Sequence, residues 1–326
     1  MIHARSLTRN FTVKRETVPA VRGIDLDVEP GQLVAILGPN GAGKSTTLRM
    51  LTTLLPPSSG TANVAGHEIT TAPGQVRARI GYVGQHTSIG ENFRVRDELV
   101  TQGEAYGFPL GEARRRADAA LTQLELRALA KRKPGTLSGG QSRRVDVAMG
   151  LIHQPRLLFL DEPSTGLDPQ NRANVWEHVL RLRREHAMTL VLTTHYLDEA
   201  DSMAERVVII DHGRVIADGS PGELKQNHAG DHIHLTTHDE TAAAQAAEVA
   251  ARMPGTQTVN RDGCAVQLRI AHASAALPEY LRALEAANIK VATAETSQPT
   301  LDDVFLALTG RSLREDESHH EDGDVT

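Results

Sequence analysis

The chain of 326 residues reads as an α/β protein: a mixed-sheet core built around a phosphate-binding loop, with an antiparallel edge and an inserted helical subdomain, followed by a small α+β domain of ferredoxin-like order. Three observations predict this. Gly38-Pro39-Asn40-Gly41-Ala42-Gly43-Lys44-Ser45 fits G-x-x-x-x-G-K-[ST] and stands between a short apolar stretch and a helical one. Short, largely apolar runs then recur along the first two thirds of the chain, and the last third alternates strand and helix patterns in the order β-α-β-β-α-β.

Residues 1–40 show short strands and turn signals, with a hairpin ending at 21–28 and then Glu29-Pro30-Gly31, so an antiparallel edge opens the chain. Leu33-Val34-Ala35-Ile36-Leu37 is apolar and β-prone, and residues 45–55 read as a helix stopped by Pro56-Pro57. Strand, loop and helix in that order aim the positive end of a helix dipole at a bound phosphate, and Lys44 adds a mobile point charge. The runs at 80–83, 157–160, 189–192 and 207–210 are short and largely apolar, as strands buried on both faces of a helix-covered parallel sheet are. Between them, 95–106, 111–124 and 140–152 switch to helical spacing, which predicts a helical subdomain over about 86–152 able to rotate as a unit.

The first domain is expected over 1–225. A polar linker at 226–230 leads into the second domain, 226–310, with strand 232–237, helix 240–253, strands 257–260 and 264–270 around Arg261-Asp262-Gly263, helix 275–286, strand 290–294 and a last helix at 301–309. The tail, 311–326, is polar and acid-rich and expected to be disordered.

Composition narrows the function classes. A net charge of −6 gives no electrostatic case for nucleic acid, and 3% aromatic residues leave little for base stacking. The basic clusters Arg114-Arg115-Arg116, Lys131-Arg132-Lys133 and Arg181 with Arg183-Arg184 read as solvated faces. No stretch approaches the roughly 18 apolar residues of a membrane span, and the opening is too polar for a secretory segment, so a cytoplasmic protein is expected. One cysteine, Cys264, excludes an internal disulfide framework. His228, His232, His234 and His238 have no carboxylate or cysteine cluster beside them and read as ordinary polar residues rather than metal ligands.

The chemistry is concentrated at two places. In the glycine-rich loop, backbone N–H groups wrap phosphate oxygens while Lys44 meets the phosphates and the Ser45 hydroxyl meets Mg²⁺. The run Arg156-Leu157-Leu158-Phe159-Leu160-Asp161-Glu162 delivers two carboxylates at the C-terminal end of a buried strand, where open α/β sheets place their ligands. Asp161 is suited to hold Mg²⁺, mostly through water, and Glu162 to orient and deprotonate the water that attacks a γ-phosphate. Phosphoryl transfer needs chiefly positioning and charge neutralisation, so this small set is sufficient.

With Leu137-Ser138-Gly139-Gly140-Gln141 added about a hundred residues downstream of the loop, the chain resembles the nucleotide-binding subunits of ATP-binding cassette (ABC) transporters over about residues 1–224. The resemblance implies a P-loop ATPase cassette that closes head to tail on a second copy of itself. Two ATP·Mg²⁺ would lie between Gly38, Pro39, Asn40, Gly41, Ala42, Gly43, Lys44, Ser45 and Thr46 of one copy and Ser138, Gly139, Gly140 and Gln141 of the other. It assigns Gln85, in YVGQH, to the loop that links Mg²⁺ to the helical subdomain, so that Ser45, Gln85 and Asp161 are the expected metal set. It places Asp168, at the end of STGLD, on the loop crossing the dimer interface beside nucleotide, and makes His195 the switch histidine that contacts the γ-phosphate. Glu162, His195 and Gln85 are the expected catalytic residues. Phe11 is the expected adenine-stacking aromatic, although residues 12–19 are longer than the family's usual segment.

Two further stretches, GQHTSIGENFRVRDEL and LDDVFLALTGR, resemble the daunorubicin/doxorubicin-resistance group of ABC-2 type exporter ATPases. That likeness implies a separately encoded cassette on the cytoplasmic face of the membrane, driving a separate permease that it contacts through residues 88–106, with a drug, antibiotic or other hydrophobic compound as cargo. An importer ATPase is the nearer alternative. A soluble ABC ATPase acting on ribosomes or DNA is the more distant one, since the chain has one cassette and no sustained heptads.

Overall fold

The computed structural model describes residues 1–311 apart from Glu91 and Ala271. Except for Arg311, the expected disordered tail lies outside the described residues. The chain divides into two compact units, Met1–Asp218 and a second that begins at Gly219.

In the first unit, β1 (Ile2–Val13) and β2 (Glu16–Val28) form one long hairpin about Lys14 and Arg15, whose φ values of 48° and 73° suit a two-residue turn matched to the strands' twist. The extra length between 12 and 19 is thus an extended hairpin tip. The chain continues through β3 (Leu33–Leu37) and α1 (Lys44–Leu51) to β4 (Ser59–Val64), β5 (His67–Glu68) and α2 (Pro73–Arg77). β1 also pairs with β4, giving a four-stranded antiparallel sheet of order β2-β1-β4-β5. The antiparallel strands therefore make a sheet of their own: both edges of β1 are taken by antiparallel neighbours, which leaves it none for the core sheet.

The core sheet has the order β10-β9-β3-β8-β7-β6, built from β6 (Ile80–Val83), β7 (Leu157–Asp161), β8 (Thr189–Thr194), β9 (Arg206–Asp211) and β10 (Arg214–Gly219) with β3. From β9 to β6 the neighbours are parallel. Every residue of β3, β7 and β8 is buried, which is why β3 is apolar throughout and why β7 and β8 are apolar up to the polar residues at their C-terminal ends, apart from Thr189. Leu48, Met50 and Leu51 of α1 share one core with residues of both sheets, such as Leu26, Val64, Phe159 and Val208. The helix ends four residues before the expected 55, because Thr53 turns the chain at a φ of 63° before Pro56 is reached. Between β6 and β7 lie α3 (Val95–Ala105), α4 (Leu110–Gln123) and α5 (Gly139–Leu151), the expected helical insertion; α6 (Pro169–His186) and α7 (Leu197–Met203) complete the unit.

The second unit opens with α8 (Pro221–Leu224) and a π turn, Lys225–Ala229. The stretch expected to be a polar linker is thus mostly helical, with Ala229 fully buried, because it packs with the last helix of the unit. There follow β11 (Asp231–Thr237), α9 (Glu240–Ala251), β12 (Thr256–Asp262), β13 (Ala265–Ile270), α10 (Ala273–Ala286), β14 (Val291–Ser297) and α11 (Leu301–Thr309). The order β12-β13-β11-β14, antiparallel throughout, is the ferredoxin-like arrangement. Ile233, Leu235, Val266 and Leu268 from the sheet meet Ala243, Ala246, Tyr280 and Leu284 from two helices. The Tyr280 hydroxyl donates to Ala246 O at 2.8 Å, and burial pushes its pKa up to about 12.

Candidate active site

The phosphate loop hangs from the C-terminal end of β3 and runs directly into α1. Gly43 has a φ of 105°, and a Cβ there would stand 2.6 Å from Ala20 O, so the turn excludes any side chain at that position. Asn40 and Gly41 at the loop tip are exposed, whereas Lys44 is only 4% exposed. Its ammonium curls back into the loop, donating to Gly38 O at 2.7 Å and Pro39 O at 3.1 Å. The loop N–H groups, the start of a helix and a buried cation together make an anion cradle. Ser45 Oγ donates to Asp161 Oδ1 at 2.7 Å. A hydroxyl beside a carboxylate is a hard-oxygen donor pair that fits Mg²⁺.

The two carboxylates diverge in environment. Asp161 continues β7 in register with Thr193 of β8, and Thr193 Oγ1 donates to Asp161 Oδ1 at 2.7 Å. Tyr82 OH approaches Asp161 Oδ2 at 3.4 Å. At Glu162 the strand breaks into a left-handed turn with a φ of 44°, and its N–H is held by Thr193 O at 3.2 Å and Thr193 Oγ1 at 3.0 Å. Non-glycine residues in this region are uncommon, and those at reaction centres point a side chain where a regular strand cannot.

That turn sends the Glu162 carboxylate toward Lys44 Nζ, 3.4 Å from Oε1, and His195 Nδ1, 3.4 Å from Oε2. Gln85 Nε2 donates to Oε2 at 3.2 Å, and Thr165 Oγ1 does so at 3.3 Å. Burial by itself would raise the carboxyl's pKa, but His195 and Lys44 outweigh it and bring it down to about 2. Glu162 is therefore a carboxylate at neutral pH, with His195 and Gln85, the two side chains expected to share the reaction, and the loop lysine Lys44 gathered around it.

The other predicted residues lie elsewhere. Ser138 caps α5: its hydroxyl accepts from Gln141 N at 3.3 Å, while Gln141 Oε1 accepts from Ser138 N at 3.1 Å. Gly139 is exposed and Gly140 is packed against Asn171, where an added Cβ would lie 2.4 Å from the amide oxygen. Asp168 caps α6, accepting from Asn171 N at 2.9 Å, and is exposed. A cleft of about 520 Å³ separates the Gln85 segment, the start of α5 and residues 165–167. Phe11 is half-buried near the hairpin tip, opposite Val18 and with the Arg9 guanidinium 4.9 Å from its ring centre. Val18 stands two residues before Ala20, whose carbonyl abuts Gly43, so it is β2, the strand paired with Phe11's, that lies alongside the loop.

Sequence reasoning missed Thr193, Tyr82 and Arg143. Arg143, 5% exposed, donates to Pro163 O and Gly84 O at 2.6 Å each and reaches Asp161 O at 3.4 Å. It ties the chain beside Gln85 to the chain beside Glu162. The only advance signal for these residues was placement, two residues before His195, two after a buried strand's start, and two after Gln141.

Comparison with known proteins bears on the whole chain. A family model of ABC transporters matches residues 21–165, and a model of the C-terminal domain of DrrA1-3-like ATP-binding proteins matches 219–309. The daunorubicin/doxorubicin resistance ATP-binding protein DrrA of Streptomyces peucetius is 43% identical over 293 residues, covering 89% of this chain and 88% of its own. The linearmycin resistance ATP-binding protein LnrL of Bacillus subtilis is 35% identical over 316 residues, covering 97% and 100%. Among solved structures, the dimeric post-hydrolysis state of an ATP-binding cassette bound to ADP and Pi aligns with a TM-score of 0.63 at 26% identity, covering 68% of this chain and 98% of that one. The chain therefore belongs to the ABC transporter family, as an ATP-binding and ATP-hydrolysing subunit of the DrrA-like kind.

Proposed function

We propose that this chain powers an export system in which it binds Mg²⁺·ATP, closes head to tail on a second copy, and drives a separate membrane permease from the cytoplasmic face. One observation carries the chemical half: the Glu162 carboxylate, kept ionised, with Lys44, Gln85 and His195 all within 3.4 Å of its oxygens. Drug or antibiotic cargo is supported by relatives named for daunorubicin, doxorubicin and linearmycin resistance, and export by those together with the Nod factor export ATP-binding protein of Paraburkholderia xenovorans. No helix among the described residues is long and apolar enough to cross a membrane, so the membrane path falls to a partner.

In this reading, arriving phosphates compete for Lys44, which leaves Gly38 O and Pro39 O for them. Glu162 loses its cationic neighbour, becomes more basic, and takes the proton of the attacking water. His195 orients the same water and the terminal phosphate. Mg²⁺, when bound by Ser45, Asp161 and Gln85, would neutralise phosphate charge. Ser138, Gly139 and Gly140 complete the site of the opposite copy, so ATP favours the closed pair and hydrolysis removes that preference.

The test is phosphate release by the purified chain, alone and with its permease in vesicles loaded with daunorubicin. Hydrolysis that depends on Mg²⁺ and daunorubicin movement that depends on ATP are expected. A chain that binds ATP but never releases phosphate, with or without the permease, would overturn the reading.

A further inference from the structure

Three residues beyond Arg143 on α5 stands Asp146, 2% exposed. A buried carboxylate needs donors, and those it finds are not on its own helix. Thr87 Oγ1 donates to Oδ2 at 2.8 Å, and the Ser88 N–H and hydroxyl both donate to Oδ1 at 2.9 Å. Arg143 Nη1, 4.0 Å from Oδ2, supplies the countercharge. The same guanidinium holds Gly84 O at 2.6 Å. Gly84 on one side and Thr87-Ser88 on the other flank Gln85, so one turn of α5 grips both ends of the segment that delivers this glutamine. Residues 85–88 are themselves exposed, and apolar packing does not hold them.

We propose that Asp146 is a positioning residue: with Arg143 it joins residues 84–88 to α5 as one body, so that Gln85 cannot shift at the nucleotide without moving Ser138, Gly139 and Gly140. The proposal rests on the function proposed above, in which Gln85 serves the site of its own copy and the start of α5 serves the site of the other. The carboxylate matters because three donors converge on its two oxygens. Alanine removes all three contacts, and asparagine turns an N–H₂ toward a donor.

Asp146→Ala and, from the opposite side, Thr87→Val with Ser88→Ala are compared with the wild type and then combined. In the nucleotide-free chain, amide exchange at 84–88 accelerates in each variant while β3 and α1 keep their rates. Affinity for ATP without Mg²⁺ stays within about twofold, because the phosphate loop is untouched. Turnover falls about tenfold or more, and the Mg²⁺ concentration for half-maximal hydrolysis rises, because Gln85 is misplaced. The loop-side pair keeps the Ser88 N–H bond and so loses less, and the combined variant is no worse than Asp146→Ala alone, which already removes both hydroxyl bonds.

Additive losses, or a lower melting temperature and active fraction with unchanged Mg²⁺ dependence, would overturn the latch. The loop-side variant leaves α5 intact, so the comparison survives if Asp146→Ala does not fold. A wild type that never hydrolyses Mg²⁺·ATP would instead overturn the functional reading beneath it.

Discussion

Glu162→Gln separates the two roles proposed for one side chain, the charge of the resting site and the base of the reaction. Glutamine keeps the shape and one acceptor oxygen but cannot take a proton and carries no charge. The carboxyl's pKa of about 2, against an ordinary 4.5, means that the folded site favours the charged form over the neutral one, by about 3 kcal/mol. Glu162 is 7% exposed, so solvent screens little of this. The nucleotide-free variant should therefore be up to about 3 kcal/mol less stable at neutral pH, visible as a lower melting temperature. The sign follows from the depression: the stabilisation is complete above pH 4.5 and lost as pH falls through about 2, so wild type and variant converge in acid. With Mg²⁺·ATP the order reverses. Removing a negative charge beside the terminal phosphate favours binding, and the chain should accumulate as a closed dimer by light scattering. Phosphate release should fall by about 10²- to 10⁴-fold, the usual contribution of a general base. Turnover within about tenfold of wild type would show that another group takes the proton.

Three further outcomes follow from the same contacts. Lys44→Ala removes the cation in the loop and should weaken ATP binding by about 10- to 100-fold in a fluorescent-nucleotide titration; equal affinity would refute its role. Thr193→Val deletes the hydroxyl that holds Asp161 Oδ1 at 2.7 Å and should lower turnover about tenfold or more with little change in Mg²⁺-free ATP affinity. A parallel loss of both would point to misfolding. His153, stacked on Tyr106 at 3.9 Å with Nε2 3.0 Å from Ile80 O, is pushed down to about 4 by burial despite that bond. Its unfolded form binds the extra proton between pH 6.5 and 4, so stability is lost as pH falls through that window, by up to about 3 kcal/mol. His153→Phe should flatten that part of the denaturant-midpoint profile, and an unchanged slope would refute the assignment.

The loop from Gly38 to Ser45, the apolar run ending in Asp161-Glu162, the helical insertion and the β-α-β-β-α-β order were legible because each requirement is met within a few adjacent residues: a turn that admits no Cβ, a strand buried on both faces, a period of 3.6 or 2. The separate antiparallel sheet was not, since it depends on β1 choosing β4 over β3, across the whole of α1. Nor was the short helical run at 221–229, which a polar composition concealed.

The same division governs the site. By itself the sequence determined which chemical groups the chain owns and the strand ends and loops on which they ride, because backbone conformation and burial pattern are local. Only the tertiary structure decided which groups meet. Thr193 holds Asp161 because β8 lies beside β7 in one register; Lys44 and His195 keep Glu162 ionised because a left-handed turn aims it between them; and Asp146 finds Thr87 and Ser88 because α5 passes the end of β6. Charge and hydrogen bonding act over a few ångströms, and that proximity is set by strand order and packing among residues far apart in the chain.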